Sequence, residues 1–173
     1  MRRDRNEKRA KRGDTDAFCK LIDAEMQSLY KIARSYLSSE DDIADAIQET
    51  ILTCFEKLHT LKNDRYFKTW MIRILINNCK DMIQKGKMLV YMDHLPEMKF
   101  EESGYSKSEW VHLLTTLDKK YRTVLLLYYL EGFNIKEIST ILDMNENTVK
   151  SHLKRGREKI ARQQKLLGKE ASL

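Results

Sequence analysis

Residues 134–160 read NIKEISTILDMNENTVKSHLKRGREKI, and their pattern indicates how the C-terminal part of the chain folds. Asn134 is followed three residues later by Glu137, a pairing typical of a capping box at a helix N-terminus. A short helix with apolar residues at three- and four-residue steps then leads to a turn at Asp143. Asn145 can cap a second, longer helix. Two helices at this spacing predict a helix-turn-helix, whose second helix enters the major groove of DNA.

The second of these helices combines an apolar inner face with a polar and basic outer face. Asn and Ser side chains can reach base edges, and Lys and Arg can read guanine or neutralise phosphates. The candidates on the outer face are Glu146, Asn147, Lys150, Ser151, Lys154 and Arg155. Between Lys150 and Lys169, eight Lys or Arg residues stand against one acid, a net +7. A solvated basic helix closing an α-hairpin is the alternative, but cap, turn and one-sided charge together favour DNA binding.

The composition of the whole chain agrees with a helical protein. Its 173 residues, 42% hydrophobic and 34% charged, suit one ordinary domain or two small ones. One Pro and six Gly leave few residues that end helices, so we expect long helices. A net charge of +6 favours a polyanionic partner. The three widely spaced cysteines argue against disulfides or a zinc site, and we expect all three to be buried, reduced thiols.

Three apolar stripes with helical spacing predict a compact helical domain over residues 13–87. Their helices begin near Asp14, near Asp41 and after a polar stretch at residues 59–64. The first stripe is Phe18, Leu21, Ile22, Met26, Leu29, Ile32, Ala33, Tyr36 and Leu37. The second is Ile43, Ile47, Ile51, Cys54, Phe55 and Leu58, and the third is Phe67, Trp70, Met71, Ile74, Leu75, Cys79, Met82 and Ile83.

The remaining segments connect or flank the two domains. Residues 88–107 lose the periodicity and are predicted to be a flexible linker that could reach about 65 Å when extended. The helical pattern then resumes at Trp110 in a second domain, residues 108–167, where Asp118 is a predicted N-cap. Residues 1–12 are basic without an apolar face, which predicts a solvated tail. The sequence therefore predicts an all-α protein with two small helical domains joined by a flexible linker.

The sequence also bears on location and catalysis. The basic start leads into no apolar segment, so it is not a signal peptide, and no apolar run is long enough to span a bilayer. We therefore expect a cytoplasmic protein. The chain has no phosphate-binding glycine loop, no nucleophile elbow and no metal-ligand cluster, and its four His are scattered. We expect no catalysis, no metal, no cofactor and no small-molecule substrate.

The second predicted helix carries an acidic strip opposite its isoleucine stripe. The strip consists of Asp41, Asp45, Gln48 and Glu49, and Leu52 continues the same face. DNA would repel this surface, whereas a basic protein partner would fit it. On the local pattern alone, a merely solvated helix face explains it equally well.

The third predicted helix carries a polar stripe that includes Arg73, Asn77 and Lys80, and the loop LKNDRY at residues 61–66 precedes it. Small polar and aromatic loop residues beside a basic helix are suited to an unstacked base and the single strand that follows it. Trp70 could be a stacking platform, but its place in the apolar stripe favours a core position.

Three runs of the sequence resemble motifs of bacterial sigma factors of the extracytoplasmic-function (ECF) group. They are DDIADAIQETIL at 41–52, FKTWMIRILINNCKDMIQ at 67–84 and NTVKSHLKRGREKI at 147–160, in the family's order. The resemblance covers about residues 14–165. It implies a factor that binds core RNA polymerase and directs promoter-specific initiation. The first domain would recognise the minus-ten element and help to open the strands, and the second would recognise the minus-thirty-five element.

The resemblance also implies roles for the candidate residues. Asp41, Asp45, Gln48 and Glu49 would dock on core RNA polymerase. Asn63, Asp64 and Arg65 would capture a flipped minus-ten base, beside Arg73, Asn77 and Lys80. Lys150, Ser151 and Arg155, with Glu146, Asn147 and Lys154 around them, would read the minus-thirty-five element. The implied partners are core RNA polymerase, promoter DNA and an anti-sigma factor, which in this family is often membrane-anchored.

Two positions depart from the family pattern. Asp143 stands where a turn glycine is usual, and Asp tolerates the left-handed backbone better than most residues. His152 replaces a common Arg, which puts in doubt one phosphate contact and the minus-thirty-five preference. Two other classes of protein fit parts of the pattern. A stand-alone helix-turn-helix regulator would bind duplex DNA tightly without polymerase, and a helical adaptor would show no salt-dependent DNA affinity.

Overall fold

The structure, a computed structural model, describes residues 2–86 and 117–170, with side chains for residues 6–85 and 117–162. Every regular element in these ranges is helical, which confirms the all-α prediction. The chain divides into an N-terminal and a C-terminal compact unit. The predicted linker, residues 88–107, and the helical start at Trp110 lie outside the described residues. No helix within the described ranges is long and apolar enough to span a bilayer.

The N-terminal unit contains the three predicted helices and one more. Its helices are α1 (Arg2–Lys11), α2 (Thr15–Arg34), α3 (Glu40–Lys57) and α4 (Phe67–Gly86), with short 3-10 turns at Leu58–Thr60 and Asp64–Tyr66. Asp14 caps α2 by accepting a hydrogen bond from the Ala17 amide at 3.0 Å. Ser39 caps α3 by accepting one from the Asp42 amide at 3.3 Å. These caps satisfy amides that a helix N-terminus otherwise leaves unpaired.

The core of this unit follows the predicted stripes with informative exceptions. Leu29, Ile32, Ile43, Phe67, Met71 and Leu75 are fully buried. Ile72 and Ile76, which the stripe of the third helix omits, are also fully buried, because α4 packs against both α2 and α3. Met26 and Phe55 were expected in the core, but they are 37% and 52% exposed. Phe55 nevertheless meets the buried Phe18 edge to face, with ring centroids 5.2 Å apart.

Residues 2–11 differ from the predicted solvated tail, because they form α1 and α1 packs on α2. Ala10 and Glu7 are buried, and Arg9 pairs with Asp14 at 2.6 Å. Gly13, with φ +89°, supplies the left-handed residue that turns the chain from α1 into α2. The prediction failed because it required an apolar face. A helix can also dock through one small side chain, aliphatic stems and paired charges.

Polar contacts within the core fix α4 against its neighbours. The Asn78 amide donates to the buried Thr50 hydroxyl of α3 at 3.0 Å, and that hydroxyl donates to the Ala46 carbonyl at 2.6 Å. Lys68 of α4 pairs with the buried Glu25 of α2 at 3.2 Å. Because buried polar groups are costly when unpaired, these contacts favour one rotation of α4 about its axis.

The cysteines only partly follow the prediction of three buried thiols. Cys54 and Cys79 are buried, and burial raises the pKa of Cys54 to about 12. Cys19 is exposed, so the prediction was wrong at that position. It lies on α2 beside Phe18, on the solvent side of the apolar stripe.

The C-terminal unit contains the predicted helix-turn-helix. Its helices are α5 (Lys119–Leu125), which continues into a π-helical turn (Leu126–Leu130), α6 (Ile135–Leu142) and α7 (Glu146–Glu170). Asn134 and Glu137 form the predicted capping box, with reciprocal hydrogen bonds of 3.0 and 2.9 Å. Asp143 has φ 54° and ψ 50°, so the aspartate takes the left-handed conformation expected at this turn. Asp118 precedes α5 as predicted, but its side chain pairs with Lys159 instead of capping the helix.

The contact between α5 and α7 depends on a glycine. A Cβ atom on Gly156 would lie 2.8 Å from Leu125 Cδ1 and 3.4 Å from Tyr121 Cβ. Side chains around it are buried, among them Val124, Val149 and Leu153. The missing side chain therefore lets α7 lie close to α5, and this contact sets the position of the outer face of α7.

Candidate functional site

The acidic strip lies on α3 as predicted. Asp41, Asp45, Gln48 and Glu49 are all exposed, and their spacing places them on one face of the helix. Acids in the first turn, such as Asp41, stabilise the positive end of the helix dipole and need no further explanation. Asp45 and Glu49 lie one and two turns further along, where this effect has faded. Both side chains are exposed and accessible to a partner.

An apolar groove borders the acidic strip. It lies between α2 and α3, has a volume of about 380 Å³ and shares Gln48 with the strip. Its apolar lining comes from Met26, Tyr30, Ile43, Ala44, Ile47, Ile51 and Leu52. Leu52 is 52% exposed and Tyr30 is 36% exposed. Exposed apolar patches with a polar rim are typical of interaction sites.

One end of the groove is held by an ion pair. Arg34, only 6% exposed, pairs with Glu40, the first residue of α3, and donates to the Tyr30 hydroxyl at 2.5 Å. The guanidinium also lies 5.5 Å from the centre of the Tyr30 ring. These contacts hold Tyr30 at the groove wall. Helical periodicity predicted that Met26, Ile47 and Ile51 are core residues. The sequence feature that could have indicated a groove is the apolar Leu52, which lies on the same helix face as the acids.

The loop at residues 61–66 exposes only part of the predicted base-capture set. The Asn63 side chain accepts a hydrogen bond from the Arg65 amide at 3.1 Å, which makes a tight turn. Lys62, Asn63, Arg65 and Tyr66 are exposed, and Tyr66 is 47% exposed. Asp64 differs from them, because its side chain is 23% exposed and is paired with Lys11 of α1. The loop therefore presents an amide, a guanidinium and an aromatic ring to solvent.

The polar stripe on α4 follows this loop. Arg73, Asn77 and Lys80 are exposed at steps of four and three residues, so they share one face. Arg73 lies seven residues after Tyr66, about 10 Å along the helix axis at 1.5 Å per residue. Trp70 is half-buried, and its ring lies 6.2 Å from that of Phe67. The structure thus brings the loop and the stripe together along one continuous segment.

The outer face of α7 carries the predicted readers of duplex DNA. Glu146, Asn147, Lys150, Lys154 and Arg155 are exposed, and Ser151 is half-buried with its hydroxyl donating to the Thr148 carbonyl at 2.9 Å. The steps of three and four residues from Asn147 to Arg155 place them on one side of the helix. The Asn145 side chain accepts a hydrogen bond from the Asn147 amide at 2.8 Å, which fixes the N-terminus of this face.

His152 lies beside the reading face and turns toward α5. Its ring meets Tyr121 edge to face, with centroids 5.4 Å apart. Desolvation lowers the pKa of His152, and the nearby Lys120 and Arg155 lower it further. With its pKa below the ordinary value, the imidazole is mostly neutral at pH 7 and adds little positive charge to this side of α7.

The described side chains include no group of three or more His, Cys, Asp or Glu arranged to hold a metal ion. The surfaces in this part of the chain instead expose acids beside an apolar groove on α3 and bases on α4 and α7. They are chemically suited to binding macromolecules of opposite charge.

The fold is found in solved structures of other proteins. CnrH in complex with the cytosolic domain of CnrY is 21% identical with a TM-score of 0.70, and the match covers 96% of this chain and 99% of that one. The sigma factor RpoE in complex with the anti-sigma factor NepR from Bartonella quintana is 20% identical with a TM-score of 0.72, over 86% and 96%.

Family models and curated relatives agree with one another. Sigma-70 region 2 matches residues 21–88, and Sigma-70 region 4 matches residues 108–160. The RNA polymerase sigma factor SigV of Bacillus subtilis is 31% identical over 132 residues, 75% of this chain and 80% of that relative. The ECF RNA polymerase sigma factor SigW of the same organism is 29% identical over 175 residues, 90% and 93%. The chain therefore belongs to the ECF group of bacterial sigma factors, which direct promoter-specific initiation by RNA polymerase.

Proposed function

We propose that three surfaces of this sigma factor have separate roles in transcription initiation. The acidic strip and the apolar groove form a docking surface for core RNA polymerase. The loop at residues 61–66 and the α4 stripe bind the opened minus-ten element, and α7 reads the minus-thirty-five duplex. The observation that carries the proposal is the separation of charge on a basic chain, with exposed acids on α3 and exposed bases on α4 and α7.

The docking surface supplies both charge and apolar area. Asp45 and Glu49 offer negative charge to a basic partner, and Leu52 and Tyr30 offer apolar surface at the adjoining groove. Charge complementarity raises the rate of encounter and selects the partner, while desolvated apolar contacts supply most of the affinity. We therefore extend the predicted site, Asp41, Asp45, Gln48 and Glu49, to include the groove.

The minus-ten surface is suited to a base that has left the stack. Tyr66 offers a stacking ring, and Asn63 offers amide groups that can hydrogen-bond to a base edge. Arg65, with Arg73, Asn77 and Lys80 on α4, can follow the strand beyond that base. Asp64 was predicted to contact the minus-ten base, but its side chain is mostly shielded and pairs with Lys11. This pairing supports a role in holding the loop and not in direct contact with the base.

The minus-thirty-five surface is the outer face of α7. Lys150 and Arg155 are suited to guanine edges or phosphates, and Glu146 can accept from cytosine. Asn147, Ser151 and Lys154 lie on the same face. Because His152 is neutral and turned toward Tyr121, we assign it to the packing of α7 and not to a phosphate contact.

The factor acts by binding, without catalysis, cofactor or small-molecule substrate of its own. Core RNA polymerase and chromosomal promoter DNA are cytoplasmic, so the factor acts in that compartment. Two of the solved structures that share its fold are complexes, one with the anti-sigma factor NepR and one with the cytosolic domain of CnrY. By analogy we propose an anti-sigma partner for this chain, often membrane-anchored in the family, that covers its polymerase- or DNA-binding surfaces.

The test is core binding and initiation with a charge-reversed docking surface. The double variant Asp45→Lys/Glu49→Lys should lose binding to purified core polymerase and lose abortive initiation on genomic promoter fragments. Asp81→Lys/Glu158→Lys makes the same charge change at exposed positions outside α3 and should bind core normally in the absence of DNA. Equal core affinity of both variants would refute the docking assignment. Specific duplex binding by the free chain, with no initiation, would support a stand-alone regulator.

A further inference from the structure

The loop at residues 61–66 is attached to the N-terminal helix at two points. The Lys11 ammonium, at the end of α1, pairs with the Asp64 carboxylate. The same ammonium donates to the Leu61 carbonyl at 2.5 Å. The two contacts lie on either side of Lys62 and Asn63, so a single ammonium group holds both ends of this exposed segment.

These contacts are shielded from water. The side chains of Lys11 and Asp64 are each 23% exposed, whereas the neighbouring Arg12 is exposed. A partly buried ion pair is screened less by salt than a surface pair, and a charged donor strengthens the bond to the carbonyl. Lys11 therefore contributes more to the loop than an ordinary surface lysine would.

The loop has few other means of holding its shape. Its only regular element is the 3-10 turn Asp64–Tyr66. Its local hydrogen bonds join Asn63 to the Arg65 and Tyr66 amides, and at its two ends the Leu61 and Phe67 amides donate to the Leu58 and Asp64 carbonyls. By contrast α1 is a firm support, because Ala10 and Glu7 are buried and Arg9 pairs with Asp14. The conformation of the loop therefore depends on contacts with a helix about 50 residues earlier in the chain.

We propose that α1 braces the minus-ten loop through Lys11, a positioning residue for base capture. The brace turns Asp64 inward and leaves Asn63 and Arg65 facing solvent. A loop already held in this shape loses less conformational freedom when it receives a base. This inference rests on the proposed assignment of the loop to the minus-ten element.

The experiment uses holoenzyme reconstituted from core polymerase and the full chain. The probe is a fluorescent non-template-strand oligonucleotide that spans the minus-ten element of a promoter on which the chain initiates. The readouts are its affinity and the ratio of affinities for the native and a substituted capture base. Lys11→Met keeps the stem and removes the charge, Asp64→Asn removes the partner charge, and Arg12→Met is the matched control.

We expect Lys11→Met and Asp64→Asn each to weaken oligonucleotide binding about fivefold and to lower base discrimination. The double variant should be no worse than Lys11→Met alone, because loss of the ammonium already removes both of its contacts. The exchanged pair Lys11→Asp/Asp64→Lys should regain only the part of the loss that comes from the ion pair, because a carboxylate at position 11 cannot donate to the Leu61 carbonyl. Arg12→Met should stay within about twofold of the parent, since Arg12 is outside the brace, and core binding of all variants should be unchanged.

Two outcomes separate this inference from the proposed function. If Asn63→Ala and Arg65→Ala weaken binding while Lys11→Met and Asp64→Asn do not, the brace is refuted and the minus-ten assignment stands. If none of the four variants weakens binding, the minus-ten assignment itself fails. Additive effects of Lys11→Met and Asp64→Asn would also overturn the brace, because independent residues add.

Discussion

The minus-ten loop and the outer face of α7 are both proposed to read DNA, yet the chain builds them differently. The face of α7 follows from helical spacing and a local cap at Asn145, and the tertiary contact at Gly156 only positions the helix as a whole. The loop depends on Lys11, which lies 53 residues from Asp64 along the chain. A reading surface on a helix is therefore encoded locally, whereas one on a loop needs tertiary contacts to define it.

The largest expected effect comes from removing the readers on α7. Lys150→Ala/Arg155→Ala should weaken holoenzyme binding to minus-thirty-five duplex by about 1–3 kcal/mol for each base that the variant no longer binds. Binding of the minus-ten oligonucleotide should not change, because the loop is in the other unit. Fluorescence anisotropy with both probes measures the two effects.

The control for this pair is Lys20→Ala/Lys57→Ala, which removes the same charge from exposed positions of the N-terminal unit. It should leave duplex affinity close to that of the parent. An equal loss of affinity in both double variants would mean that overall charge, and not the face of α7, determines binding.

Gly156 offers a test of how α7 is positioned. Gly156→Val should destabilise the C-terminal unit by about 1–3 kcal/mol, because the new side chain would overlap Leu125 and Tyr121. Gly156→Ala should cost less, since the nearest atom is the mobile end of Leu125. Amide hydrogen exchange of α7 against that of α4 measures the effect within one molecule. Arg157→Val controls for the low helix propensity of valine at the adjoining, exposed position.

The capping box tests the local character of the helix-turn-helix. Asn134→Ala removes the acceptor for the Glu137 amide and should destabilise the C-terminal unit by roughly 1 kcal/mol. Asn134→Ser keeps a side-chain oxygen and should remain close to the parent. Urea denaturation followed by hydrogen exchange compares them, and equal stability of Ala and Ser variants would show that the cap contributes nothing.

The smallest effect concerns an aspartate with a distant partner. The hydrogen bond from Lys159, 2.8 Å long, lowers the pKa of Asp118 below its usual value. The stabilisation is therefore present above the unfolded pKa of about 3.9 and is lost as pH falls through the lower folded pKa. The stability difference between the parent and Asp118→Asn should be small at pH 6, because both side chains are exposed, and should vanish in acid. Urea denaturation at pH 6, and in acid below the folded pKa of Asp118, measures this difference in stability.

Asp118 and Asp64 show that the sequence did not predict which distant side chain an aspartate pairs with. The three helices of residues 13–87, the capping box and the left-handed Asp143 were all predicted, because each depends on residues a few positions apart. For Asp118 the position was predicted, but its partner was not, because Lys159 lies 41 residues away. A local pattern names candidates for a turn or cap without showing which distant charge will compete for them.

Helical periodicity left two further features open. Met26 and Phe55 have the spacing of core residues, yet each is substantially exposed, Met26 at the groove beside the acidic strip. An apolar stripe shows that a face avoids water without showing whether this chain or a partner covers it. The docking of α1 was missed for the converse reason, since Ala10 and paired charges leave almost no periodic signal.

The distribution of the three thiols has a practical consequence for labelling. Alkylation requires the thiolate, and with a pKa of about 12 the buried Cys54 is almost entirely protonated at pH 8. Cys79 is buried as well, whereas Cys19 is exposed on α2. A maleimide dye should therefore attach at Cys19 alone under native conditions. A chain with its natural cysteines would then carry a single fluorophore on the N-terminal unit. Such a chain can be used in energy-transfer measurements during promoter opening.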